Sequence, residues 1–445
     1  MKKIQRNQTL IFSGEIKGHE IKKANGGLIV DDNGITTLTT LHYESISNDK
    51  LIAQDGKRNL YSDQDKKDID SISGVLENYF FYLECESYSA MDFNINSISR
   101  SAKYGNFKYG LFWQKKFEGK IELNGFDSFR FKIDYLNVFI YDSNIKYELQ
   151  MTEEEKYQKI TFDYDFNSRM NKTISLKDYS VNIKSGLEMK NLLKPLQLKN
   201  NGTKIEFMES FFLNINKHNS QITIDEIKDL SYYLTTFFSF CLQVDICSRE
   251  FITKTDNIDF ELIFPLYSGS KNTIIDQDDV LLYYSDFDDI NNSIDNWIDG
   301  WKKGYKDLFN SSVALILYPK LPFKDKIINI FIGIENYINK ENIRSAPNIV
   351  DGKDTNNNIT KKFEEAIRQS TFLSGIGLDP RTAVRIRNTI MHSNKDTYTG
   401  HEWGKALHDI QIIQKYLIMK VIGIKEDIIE IKLKNLVSQH SIPRY

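Results

Sequence analysis

The chain has 445 residues, enough for two or three domains that each bury a core. Hydrophobic residues make up 40% and charged residues 27%, and only 7 prolines occur, which argues against long disordered linkers. The net charge of −3 excludes a global cationic field, so any nucleic-acid surface must be a local patch.

At the N-terminus the apolar run Leu10–Phe12 is too short for a secretory leader, and no stretch of about 18 apolar residues occurs anywhere. Cys85, Cys241 and Cys247 form an odd set without metal-ligand spacing. A reduced, cytoplasmic protein follows, with no membrane span, metal or cofactor expected.

Residues 8–180 read as strands and turns. Asp32-Asn33-Gly34 separates two short apolar runs, and Asn-Gly is a strong hairpin signal because both residues accept positive φ. The later runs YFFYLECESY, NFKYGLFWQ, FRFKIDYLNVFIY and QKITFDYDF are aromatic and β-branched, and several alternate with polar residues. An antiparallel sandwich- or barrel-like region is expected.

Near residue 220 the period changes. Thr223 and Glu226 form a capping-box pattern ahead of a core helix, and strand-like runs follow around LQVDICSREFI and FELIFPLY. Between Asp276 and Asp299 there are many aspartates and no lysine or arginine, with Asp286, Asp288 and Asp289 placed at a helix start, where the macrodipole favours anions. Trp297 and Trp301 lie four apart on one face, as core residues do. Further helices are expected near 324–340, 358–370, 380–395 and 402–423. The fold class is therefore α+β. Its expected domains are a β-rich region over 1–220 as a candidate sensor, a mixed region over 221–310 packed with it, and a helix bundle over 311–445.

The segment RTAVRIRNTIMHSNKD, residues 381–396, raises a physical question. On a helix, Val384, Ile386, Ile390 and Met391 mark an apolar sector, and Arg387 falls inside it, about 40° from Ala383. Asn388, His392 and Arg385 share another face. An unpaired charge removed from water costs several kcal/mol, so Arg387 needs a carboxylate, a cleft or an interface. From Arg381 to Lys395 the segment holds Arg381, Arg385, Arg387 and Lys395 and no acid.

Histidine exchanges protons near neutrality, and arginine gives a phosphate bidentate donors. Together they suit metal-free RNA scission, in which a base takes the 2′-hydroxyl proton and a cation stabilises the charge at phosphorus. The bland alternative is a structural ion pair at Arg387 and a surface His392. About 140° separates the two residues on a straight helix, so a bend, the arginine's length or a second subunit is needed to unite them.

The sequence RNTIMH, from Arg387 and Asn388 to His392, resembles the Arg–polar–x–x–x–His signature of the HEPN superfamily of toxin and defence ribonucleases. Many members continue with glycine, where this chain has Ser393. The earlier helix KIINIFIGIENYI supports the resemblance, and Glu335 within it resembles the acidic residue that many HEPN domains carry there. The opening FSGEIKG…GGLIVDDNGITTL, GLFWQ…FEGKIELNGFDSFRFKIDYL and YYSDFDDINNSIDNWIDGWKKGY look like ApeA-type anti-phage HEPN proteins.

That resemblance implies abortive-infection defence, with the N-terminal part answering a phage-derived trigger and the bundle cutting host RNA, tRNA being a candidate. It implies a homodimer with two motifs facing across a twofold axis. Arg387 and His392 would then be catalytic, Asn388 would orient the site, Arg385 and Arg381 would hold RNA phosphates, and Glu335 would pair with Arg387. The alternative is a non-catalytic HEPN-like module for RNA or nucleotide binding and dimerisation. The acidic stretch 276–299 is a candidate cover for the basic patch at rest.

Overall fold

A computed structural model of the chain describes residues 9–18, 22–30, 36–43, 69–76, 79–87, 91–93, 100–104, 106–114, 125–140, 145–151, 157–164, 171–190, 206–264, 279–343, 349–350, 353–354, 359–378, 380–392 and 398–439. The described residues form an α+β protein, antiparallel and β-rich toward the N-terminus and helical toward the C-terminus. They fall into two compact units that interleave along the sequence. One comprises Met1–Lys132, Phe212–Ile227 and Ser248–Ser268, and the other comprises Ile133–Phe211, Lys228–Cys247 and Gly269–Tyr445.

In chain order the first strands are β1 (Thr9–Gly18), β2 (Lys22–Val30), β3 (Thr36–Tyr43), β4 (Ile69–Val75) and β5 (Tyr79–Ser87). They are followed by β6 (Met91–Phe93), β7 (Arg100–Tyr104), β8 (Asn106–Gln114) and β9 (Ser128–Ile133). Next come α1 (Leu136–Ile140), β10 (Ile145–Met151), β11 (Tyr157–Tyr164), β12 (Asn171–Ser175), β13 (Tyr179–Lys190) and β14 (Glu206–Lys217). The middle of the chain supplies α2 (Ile224–Leu242), β15 (Ser248–Thr255) and β16 (Ile258–Ile263).

Within the first unit the strand order is β9-β15-β16-β8-β5-β4-β1-β2-β3-β7-β6. β2 pairs antiparallel with β3, while the Asp32-Asn33-Gly34 turn between them lies outside the described residues. Gly14 on β1 faces Gly74 on β4, and a Cβ on Gly14 would come within 2.6 Å of the Gly74 Cα, so this strand pair closes only without side chains. Aromatic contacts fill the core: Phe12 meets Phe81 edge-on at 5.3 Å, and Phe260 touches both Trp113 and Phe126.

In the second unit the C-terminal helices are α3 (Ile290–Lys302), α4 (Lys306–Leu317), α5 (Phe323–Lys340), α6 (Ile359–Arg368), α7 (Thr371–Gly375), α8 (Pro380–His392), α9 (Gly400–Val421) and α10 (Glu426–Gln439). A two-residue strand pair, β17 (Ile349–Val350) with β18 (Lys353–Asp354), lies between α5 and α6. Helices α1, α4, α7 and α10 have no counterpart among the expected helices, and α1 turns the end of the strand-like run FRFKIDYLNVFIY into a helical turn.

Trp297 anchors this unit. It is fully buried, stacks on Phe309 at 4.3 Å and donates its indole N–H to the Tyr233 carbonyl at 3.0 Å. Close approach of α4 to α5 depends on Gly333, where a Cβ would sit 2.4 Å from the Ser311 hydroxyl. That hydroxyl accepts a 2.6 Å bond from buried Gln414 on α9, which satisfies both groups in the bundle core.

Candidate active site

Helix α8 opens with Pro380, whose missing N–H costs nothing in the first turn. Ala383, Val384 and Ile386 are buried, and the apolar stripe then opens out: Arg387 and Ile390 are half-buried and Met391 is 53% exposed. Helix α9, which packs beside it, starts from a capping box in which Thr399 and Glu402 each accept from the other's backbone N–H.

Arg387 leans toward α5. Its Nη2 donates to both carboxylate oxygens of Glu335, at 3.3 and 3.2 Å, while Nη1 donates to the Asn388 side-chain oxygen at 3.0 Å. The two side chains of the ion pair remain 25% and 22% exposed. These contacts are longer than the 2.7–2.9 Å typical of charge-assisted bonds, and water reaches both partners. The pair is therefore partly screened by solvent.

Arg381, Arg385, Asn388 and His392 follow one another at intervals of four, three and four residues, so the helical backbone sets them along one stripe. Arg387 lies off that stripe, and its bond to Asn388 ties the Glu335–Arg387 pair to it. His392 is the last residue of α8; its side chain, like Ser393 and Lys395, lies outside the described residues.

The arginines differ in their surroundings. Arg381 donates to Glu364 of α6 at 2.6 Å, and Lys361 pairs with the same carboxylate at 3.2 Å. Arg381, with help from Lys361, holds the Glu364 carboxyl below its ordinary range. Arg385 is exposed and has no ion-pair partner among the described residues. The acid-free run in the sequence is thus partly neutralised by two glutamates from other helices.

The acidic stretch does not cover these arginines among the described residues. Asp286 pairs with Lys432 at 2.6 Å and Asp288 with Lys425 at 2.7 Å, both on or just before α10. Asp289 caps α3 by accepting from Asn291 and Asn292. Asp295 accepts from the Lys177 backbone N–H, and Asp299 pairs with the Lys177 and Lys303 ammoniums. The cover expected at rest is replaced by struts that hold α3 to α10 and to the β12–β13 turn.

Two features near the ion pair escaped sequence reasoning. Ile332, one turn before Glu335, is 46% exposed, and Met391, one turn after Arg387, is 53% exposed. These two exposed apolar side chains belong to the two helices that the ion pair joins. The available sequence signal was the apolar sector of each helix, which runs wider than its neighbours can cover.

This arrangement defines an α+β protein whose C-terminal helices carry an Arg–Asn–x–x–x–His segment braced by a glutamate. The chain matches the family described as ApeA N-terminal domain 1 over residues 12–297. It belongs to the ApeA family of anti-phage defence proteins. Comparison with curated proteins and with solved structures gave no match. Helix α8 lies beyond the matched segment. No described helix is long and apolar enough to cross a membrane.

Proposed function

We propose that the protein is a metal-independent endoribonuclease of HEPN type, acting in abortive infection on host RNA, with tRNA the leading candidate. The observation that carries this reading is Arg387: a half-buried guanidinium, loosely paired with Glu335 and bonded to Asn388, one face away from the Arg381–His392 stripe. In the proposed reaction His392 takes the proton from a 2′-hydroxyl, and that oxygen attacks the adjacent phosphorus. Arg387 stabilises the added negative charge, and the 5′-oxygen leaves, taking up a proton from the protonated imidazole or from water. The products are 2′,3′-cyclic phosphate and 5′-hydroxyl ends. Arg385 and Arg381 bind flanking phosphates, Arg381 with Glu364 as its resting partner. A phage-derived trigger releases the activity in the cell.

The exposed Ile332 and Met391 support a homodimer in which the two sites face each other, the route by which guanidinium and imidazole converge. One observation favours the alternative, a non-catalytic RNA-binding and dimerisation module: Arg387 already has a carboxylate within its own fold.

The test is cleavage of tRNA by triggered full-length protein in EDTA. His392→Ala and Arg387→Ala are each expected to reduce cutting by about 10²–10⁴-fold, with cyclic-phosphate ends on the native protein's products. Full cutting by His392→Ala ends the catalytic assignment. Saturable RNA binding without cyclic phosphate, even with the trigger, selects the alternative.

A further inference from the structure

The turn between α4 and α5 carries a feature that the Arg387 site does not use. Tyr318 and Phe323 are 55% and 56% exposed, two of the few large apolar side chains left in water among the described residues. Lysines alternate with them: Lys320 and Lys324 are exposed, and the Lys326 ammonium lies 5.8 Å from the Phe323 ring centre while bonded to the Pro319 carbonyl at 2.7 Å. Over Tyr318–Lys326 three lysines face a single acid, Asp325.

This turn leads into α5, the helix that carries Glu335. The Lys324 ammonium is 6.0 Å from the Trp403 ring centre, so the starts of α5 and α9 are neighbours. Seven residues, 393–399, join the end of α8 to the start of α9. Glu335 is twelve residues along α5 from Phe323, roughly 18 Å, while His392 is five residues beyond Arg387, roughly 7.5 Å along α8. Phe323 is thus roughly 18 Å along α5 from the carboxylate that holds Arg387, within reach of a short run of nucleotides.

An exposed ring flanked by cations is the arrangement that single-stranded nucleic acid requires, because every base has a π-face and every linkage a charge. We infer that Phe323, with Lys320 and Lys324, forms a subsite where a single-stranded RNA segment leaving the α8 site stacks one base and anchors its phosphates, with Tyr318 a second platform. This inference rests on the reading of α8 as a ribonuclease site. Stacking tolerates any base, so the subsite adds affinity and strand preference and leaves sequence choice to the cleavage site.

The experiment uses full-length protein and a fluorescein-labelled single-stranded RNA with 2′-O-methyl riboses, which lacks the attacking hydroxyl. Binding is followed by anisotropy over a range of salt. Phe323→Ala is expected to weaken binding roughly tenfold or more while Phe323→Trp retains it. Lys320→Ala with Lys324→Ala is expected to flatten the salt dependence. Because Phe323 is exposed, thermal melts of the variants should match the native protein.

Equal affinity of Phe323→Ala and the native protein, or absence of RNA binding, overturns the subsite. So does a Phe323→Ala effect confined to self-association, which would assign this face to a protein contact. Cleavage of unmodified RNA by His392→Ala is read separately. Persistent cutting with a lost Phe323 effect defeats both readings, and persistent cutting with the Phe323 effect intact defeats only the assignment of His392.

Discussion

Arg387 shows how one side chain answers a constraint visible in its own helix. A guanidinium in an apolar sector needs a partner, and Glu335 supplies it from α5, 52 residues earlier. Its neighbour Arg381 is a surface counterpart, 64% exposed and braced by Glu364. The Glu364 carboxyl is held below its ordinary range, so this contact contributes stability above the unperturbed glutamate value, about 4.3. The contribution disappears as pH falls through the lower folded value. Thermal unfolding of Arg381→Ala should therefore show a deficit near neutral pH that vanishes in acid. Its size should be about 0.2–1 kcal/mol, because solvent screens the pair. A deficit that persists at acid pH would mean that Arg381 acts through packing.

At the scale of elements, α3 is the joint of the helical unit. Its Trp297 fills the space between α2 and α4, while its aspartates reach the β12–β13 turn and those just before it reach α10. Trp297→Ala should lower stability by about 3–5 kcal/mol, measured as a shift of the urea midpoint. A loss below about 1 kcal/mol would show that the site collapses around the missing ring.

Most helices were legible from period alone: the expected 324–340 and 402–423 correspond to Phe323–Lys340 and Gly400–Val421. Helix α10 was not, because Ile429, Ile431 and Leu433 alternate with polar residues as in a strand. In the fold Ile429 and Leu433 are buried while Ile431 is 55% exposed, a helical pattern that emerges only from packing.

For the whole molecule, the family-matched segment ends inside α3, the helix whose struts reach α10. The matched segment runs through both compact units and ends in the one that carries α8. The homodimer proposed above has its own prediction at the exposed Ile332 and Met391. Ile332→Asp and Met391→Asp should each convert a dimer to a monomer in light scattering and reduce RNA cutting in parallel. Dimers that persist in both variants would place the contact on another face.

The sequence by itself determined the α+β class, the family resemblance and the residue types gathered on α8, because hydrophobic period and local composition are properties of neighbouring residues. Only the tertiary structure decided which carboxylates meet which arginines, where the acidic stretch is held, and which apolar side chains stay in water. Those outcomes depend on contacts between helices separated by tens to more than a hundred residues, and helical period carries no record of which faces will pack together.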